Sequence, residues 1–324
     1  MMRQILSLDP NSYQRHRIHN EERAWAETNC YVDVWIELLH AWGFEPIAAL
    51  PFTLVIDFEG DQWTFFKFPS GDLYQLFGLD VQELAIWRPL VLHVEEQVAC
   101  GRPVLVELDS YFLPDTAGTA YQREHVKSTV AVVAIDVAAQ RLGYFHNQGY
   151  YHLEGADFAN VFRLHAAKDS AVLPPYVEFV KRRSLSALAD DELMLTSVRL
   201  LRRQLRLVPE ANPFDQFKAR FEADLRWLAD ESLATFHLYS FSTLRQFGAS
   251  YELAATYLQW LQGRLGKSLS GPIASFNHLA TGAKTLQFHL ARAITRKKSL
   301  DLSPFDGLAN EWRGAIESVK EMFL

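Results

Sequence analysis

The chain has 324 residues, 49% hydrophobic and 13% aromatic, enough apolar material for one large core or two moderate ones. A formal net charge of -7 argues against a general nucleic-acid binder, for which a basic balance supplies most of the affinity. Two cysteines, Cys30 and Cys100, form no disulfide framework, and no apolar run reaches the length of a membrane span, so the expectation is a cytoplasmic protein with no membrane partner.

The first ten residues lack a signal-peptide core because Asp9 and Pro10 interrupt them early. His16 and His19 flank Arg17-Ile18 with no Cys/His/Asp set of ligand spacing beside them, so an exposed arm is expected rather than a metal site. A helix is then predicted, capped by Thr28 or Asn29, with Val32, Trp35, Ile36 and Leu39 at helical spacing. Cys30 opens it. A thiol there faces unpaired backbone N–H groups and the positive end of the dipole, which favour the thiolate; the alternative is a small core filler. Residues 50–58 and 63–68 read as a hairpin around Glu59-Gly60-Asp61, and Asp80 to Glu83 as a helix start. A further helix over 91–99 ends at Cys100, which reads as structural and buried.

A strand leads from Gly101 into Asp109-Ser110-Tyr111-Phe112-Leu113-Pro114, and His125 precedes a β-branched strand that ends at Asp136. Residues 142–151 form its return strand and carry His146 and Asn147. A cysteine at a helix start, a histidine before a strand and an Asn on the next is the papain-type order: the base takes the thiol proton and the third residue orients its ring. Cys30, His125 and Asn147 are thus the candidate catalytic residues. His146 is a reserve base, pointing opposite to Asn147 on an alternating strand.

Residues 101–158, with Asn29-Cys30, resemble an uncharacterised bacterial family filed as a domain of unknown function. More distantly they are similar to the N-terminal domain of the butirosin-biosynthesis H acyltransferase and to bacteriocin-processing cysteine peptidases, all papain-like. The run from Val106 to Pro114, with Asp109 and Tyr111, carries the acyltransferase likeness. In that pattern the base falls at Ser128, so His125 is displaced by three residues. Three readings follow: a loop that bends His125 back to Cys30, altered machinery, or a non-catalytic relative.

After a hinge at Pro174-Pro175 and the polar stretch 181–191, the hydrophobic period becomes helical. Helices are predicted over about 193–205, 214–228, 233–247, 251–265, 272–298 and 304–323, with stops at Gly248 and Gly266. Their aromatic residues, from Trp227 to Trp260, read as core. Basic clusters at 181–183, at Arg202, Arg203 and Arg206, and at 296–298 read as solvated helix faces or as a docking surface for an acidic protein.

The expected fold is α+β: a papain-like domain over 1–175 followed by an all-helical domain over 176–324. The resemblance implies a thiol-dependent acyltransferase that moves an aminoacyl group from an acidic acyl carrier protein to a small-molecule amine through a Cys30 acyl-enzyme. Asn29, Asp109, Tyr111 and His146 are the candidate substrate-binding residues. No cofactor or metal is expected beyond the carrier's own phosphopantetheine. The alternatives are a cysteine peptidase or amidase, and a catalytically silent papain-like binding scaffold.

Overall fold

Val130, Val132, Val133 and Ile135 are β-branched and fully buried, and the strand they form is the spine of a seven-stranded antiparallel sheet among the described residues. The structure, a computed structural model, describes residues 2–20, 22–165, 172–184, 187–296 and 301–324. It divides into two units. The first comprises Met1–Glu21, Asn29–Pro46 and Leu73–Ala187; the second comprises Glu22–Thr28, Ile47–Asp72 and Leu188–Leu324. The protein is thus mixed α/β, with an antiparallel sheet and a helical C-terminal part.

In chain order the first unit holds β1 (Arg3–Gln4), α1 (Arg17–Asn20) and α2 (Cys30–Ala41). After α3 (Ser70–Phe77), which straddles the division, come β2 (Leu79–Glu83), α4 (Leu90–Ala99), β3 (Val104–Asp109), β4 (Lys127–Asp136), β5 (Arg141–His146), β6 (Gly149–Glu154), α5 (Ala156–Val161) and β7 (Val177–Arg182). The sheet order is β2-β7-β3-β4-β5-β6, with β1 against the end of β4.

Strand alternation sorts the faces. Val106, Val130, Val132 and Tyr144 pack with Val91 and Val94 of α4 and Phe158 of α5. Leu105, Ala131, Phe145 and Glu178 have the opposite parity and look toward α2. Tyr31 of α2 donates to Glu178 at 2.9 Å, and Tyr13, whose ring lies 5.5 Å from Phe145, donates to Glu37 of α2 at 2.5 Å.

Several sequence expectations need correction. Residues 79–83 form a strand rather than a helix, because five register pairs from Leu79↔Arg182 to Glu83↔Glu178 outweigh a loose capping pattern. The hairpin over 50–68 shrinks to a single bridge, Phe58↔Trp63, since Pro51 starts a 3-10 turn over Pro51–Leu54. The return strand is two strands, β5 and β6, broken by a turn at Asn147-Gln148. Cys100 is exposed at the C-cap of α4. β7 completes the sheet, so a boundary at 175 falls one strand early, and residues 22–28 and 47–72 belong to the helical unit.

The second unit holds α6 (Asp190–Leu205), α7 (Pro213–Leu228), α8 (Leu233–Ser240), α9 (Gln246–Leu265), α10 (Ser270–Arg296) and α11 (Pro304–Phe323). Asp190, Asp191 and Glu192 open α6 and Arg202 and Arg203 close it, matching its dipole. Asn212 caps α7 ahead of Pro213, and Gly266 ends α9 at φ +63. Phe247, Tyr251, Tyr257 and Trp260 are core, whereas Trp227 is half exposed.

Gly248 stops nothing: a π turn, Phe241–Arg245, joins α8 to α9 and the helix runs on through it. The glycine is there for packing. A Cβ at 248 would lie 2.5 Å from the Trp25 indole, which is held by a 2.9 Å bond from Nε1 to the Ala280 carbonyl and by Glu252 on its backbone N–H at 3.0 Å. Gly248→Ala should therefore lose about 1–3 kcal/mol to overpacking in a urea titration. The gain of about 1 kcal/mol expected from helix propensity alone would show that Trp25 moves aside.

Candidate functional site

Cys30 is the first residue of α2, and the Asn29 side chain accepts from the Val32 N–H at 3.0 Å, with Asn29 extended at φ -137 and ψ 154. Asn29, expected to bind substrate, is itself buried as the helix cap. The thiol is partly exposed at the positive end of the helix and, among the described residues, makes no hydrogen bond to a histidine.

His125 lies in the loop before β4. Its Nδ1 is 2.6 Å from Asp109 Oδ2, its ring stacks on Tyr111 at 4.3 Å and 10°, and its side chain is 67% exposed. Asp109 also accepts from the Tyr111 backbone N–H at 3.1 Å, so the end of β3 fixes both the carboxylate and the stacking ring. Three expected site residues are thereby brought together. With Nδ1 on the carboxylate, Nε2 is directed away from it. Asp109 shares the strand parity of Leu105, so this pair belongs to the face that looks toward α2.

Asn147 does not join them. It occupies the two-residue turn between β5 and β6 at φ +46, a conformation Asn tolerates, and among the described residues its side chain makes no hydrogen bond. The carboxylate of Asp109, rather than the amide of Asn147, orients His125.

His146 has a separate set of partners. Its Nδ1 is 2.5 Å from Asp115 Oδ2 and its Nε2 is 2.6 Å from Ser128 Oγ. Tyr144, two residues earlier on the same face of β5, donates to Asp115 Oδ1 at 2.5 Å. Burial and the neighbouring carboxylate push the Tyr144 hydroxyl far above its ordinary range, so it remains a donor. The geometry has a simple origin: Val130 pairs with His146, which puts Ser128 diagonally beside the imidazole on one face. Asp115 comes from a 3-10 turn, Pro114–Thr116, braced by Thr116 Oγ1 on the carbonyls of Ser110 and Leu113. Sequence reading missed Asp115, although it directly follows Leu113-Pro114, and took Ser128 only as an empty base position.

The N-terminal histidines are not an exposed arm. His19 is buried between Asp33 and Glu37 of α2, its Nε2 3.3 Å from Asp33 and its Nδ1 on Glu37. Glu37 also receives the His16 backbone N–H at 3.1 Å. The basic clusters have internal work as well: Arg183 pairs with Asp80 at 2.6 Å, Arg182 lies over the Trp42 ring at 5.4 Å, Arg203 pairs with Asp72, and Arg202 donates to the Phe323 carbonyl at 2.8 Å. Residues 297 and 298 fall outside the described residues. A cleft of about 500 Å³ in the helical unit, lined by aliphatic residues such as Leu195, Val198 and Leu269 together with Glu192, Arg199, Arg202 and Lys267, contains none of the candidate site residues.

Fold and site together define a two-unit protein whose sheet-bearing unit pairs histidines with carboxylates, His125 with Asp109, His146 with Asp115 and His19 with Asp33 and Glu37. The chain belongs to the DUF1839 family: residues 14–182 match the DUF1839 N-terminal domain and residues 190–321 the DUF1839 C-terminal domain. No curated protein matches the chain. Among the described residues, no helix is long and apolar enough to cross a membrane.

Proposed function

We propose that the sheet-bearing unit is a papain-like acyltransferase domain acting through Cys30 in the cytoplasm, with His125 as its base. The observation that supports this most is the Asp109–His125 pair on the sheet face that looks toward α2. In this reading His125 takes the Cys30 proton and the thiolate attacks the carbonyl of a carrier-bound aminoacyl thioester. The tetrahedral intermediate expels the phosphopantetheine thiol, which takes the proton back. A small-molecule amine then attacks the acyl-enzyme and loses a proton to His125, the bond to Cys30 Sγ breaks, and the cysteine recovers that proton, with backbone N–H groups at the start of α2 holding the oxyanion in both steps. Water in place of the amine would make the same site a peptidase or amidase. The acidic carrier protein in this proposal is the donor the resemblance implies; Arg182, Arg183, Arg202 and Arg203 of the basic clusters already have partners within the chain.

A second reading, a binding scaffold without catalysis, is favoured by one observation: the Cys30 thiol has no histidine on it among the described residues. Intact-mass spectrometry after incubation with an aminoacyl carrier protein separates the two. The adduct should map to Cys30, vanish in Cys30→Ala, form about 100-fold more slowly in His125→Ala and be nearly unaffected in Asn147→Ala. Absence of any adduct on Cys30 would leave the scaffold.

A further inference from the structure

We infer that Ser128, His146 and Asp115 form a second nucleophilic centre, on the sheet face opposite the one that looks toward α2, which accepts acyl groups from activated esters on the Ser128 hydroxyl.

The hydrogen-bond directions carry the argument. Both oxygens of Asp115 receive donors, from Tyr144 at 2.5 Å and from His146 Nδ1 at 2.5 Å. With the ring proton on Nδ1, Nε2 presents its lone pair, and what lies on it at 2.6 Å is the Ser128 hydroxyl. That is the arrangement in which a serine is activated: a carboxylate fixes the tautomer, and the free ring nitrogen takes the hydroxyl proton as the oxygen attacks. The group is sheltered from bulk water: the side chains of His146 and Asp115 are 1% and 3% exposed and Ser128 is buried too, while Val126 and Lys127 just before it are exposed. The surroundings are also telling. Val130, Val132 and Leu142 make this face an apolar one, where aliphatic residues would pack without the desolvation that a serine, an imidazole and a carboxylate incur.

The step balances within these groups. Ser128 Oγ bonds to the acyl carbon while its proton passes to His146 Nε2. The tetrahedral intermediate collapses, the bond to the leaving alcohol or thiol breaks, and that group departs with the proton. Water or an amine, losing its proton to the same nitrogen, then attacks the acyl carbon; the bond to Ser128 Oγ breaks and the serine takes that proton back.

A fluorophosphonate probe tests this on the full chain: the serine oxygen bonds to phosphorus, fluoride leaves, and the adduct is stable enough for peptide mapping. The expected result is a single adduct on the peptide containing Ser128, absent in Ser128→Ala and about 100-fold or more slower to form in Asp115→Asn. Mapping the unmodified protein needs no variant, so a misfolded mutant cannot obscure the answer. Cys30→Ala should leave the adduct unchanged, which keeps this centre distinguishable from the Cys30 reading. Absence of an adduct on Ser128, or an adduct of equal rate in Asp115→Asn, would overturn the proposal and make the three residues a structural network.

Discussion

Glu37→Leu is expected to destabilise the sheet-bearing unit by about 3–5 kcal/mol, the cost of removing one partner from a buried ionic group. Glu37 is fully buried and accepts from the Tyr13 hydroxyl at 2.5 Å, from the His16 backbone N–H at 3.1 Å and from the His19 ring. Leucine would leave all three donors without that acceptor. The effect depends on pH. Burial alone would lower the His19 pKa, but the hydrogen bonds and charges of Asp33 and Glu37 outweigh it and push the imidazolium up to about 9. A folded-state pKa above the ordinary 6.5 stabilises fully below that value, and the contribution is lost as pH rises through about 9. Hydrogen exchange in β5 and β6 between pH 6 and 10 isolates this unit. A loss below about 1 kcal/mol, or protection that does not fall toward pH 9 after correction for intrinsic exchange, would mean the cluster is not what secures α2.

In the helical unit the largest loss is expected from Trp63→Ala, about 3–5 kcal/mol. Trp63 is fully buried, with Phe214 and Phe247 each 5.0 Å from its ring, Phe217 at 5.8 Å and Tyr251 at 6.3 Å, so alanine would leave a cavity walled by rings that cannot all collapse. Its indole nitrogen is buried without a hydrogen bond among the described residues, so Trp63→Phe should cost much less, about 1 kcal/mol, by removing that donor along with the volume. Urea titrations of the two variants check the ordering. Equal losses would assign the indole N–H a partner.

The helices of the second unit were legible because their signals are local. The 3.6-residue period, the cap at Asn212 and the stop at Gly266 each act within a turn or two. The β4 strand was legible for the same reason, from its β-branched run. What escaped depends on distant partners. β2 is a strand because β7, about a hundred residues later, pairs with it, and Gly248 is small because Trp25 lies against it. At the candidate site, residue type and order brought out His125, Asp109 and Tyr111. No spacing rule gives Asp115 to His146, because that contact requires a 3-10 turn to fold back over β5. His16 and His19 looked like a solvated arm because their carboxylate partners lie on the next helix.

Residues 47–72 belong to the helical unit, whose long C-terminal segment begins only at Leu188. On a ribosome adding 5–20 residues per second, Leu50, Phe52, Ile56, Trp63 and Phe66 therefore wait roughly ten seconds for the helices that bury them. During that interval they are an unpaired, apolar stretch bracketed by segments that fold elsewhere. The order of synthesis and the order of assembly disagree, which makes this stretch the natural target for chaperone binding and for aggregation at high expression.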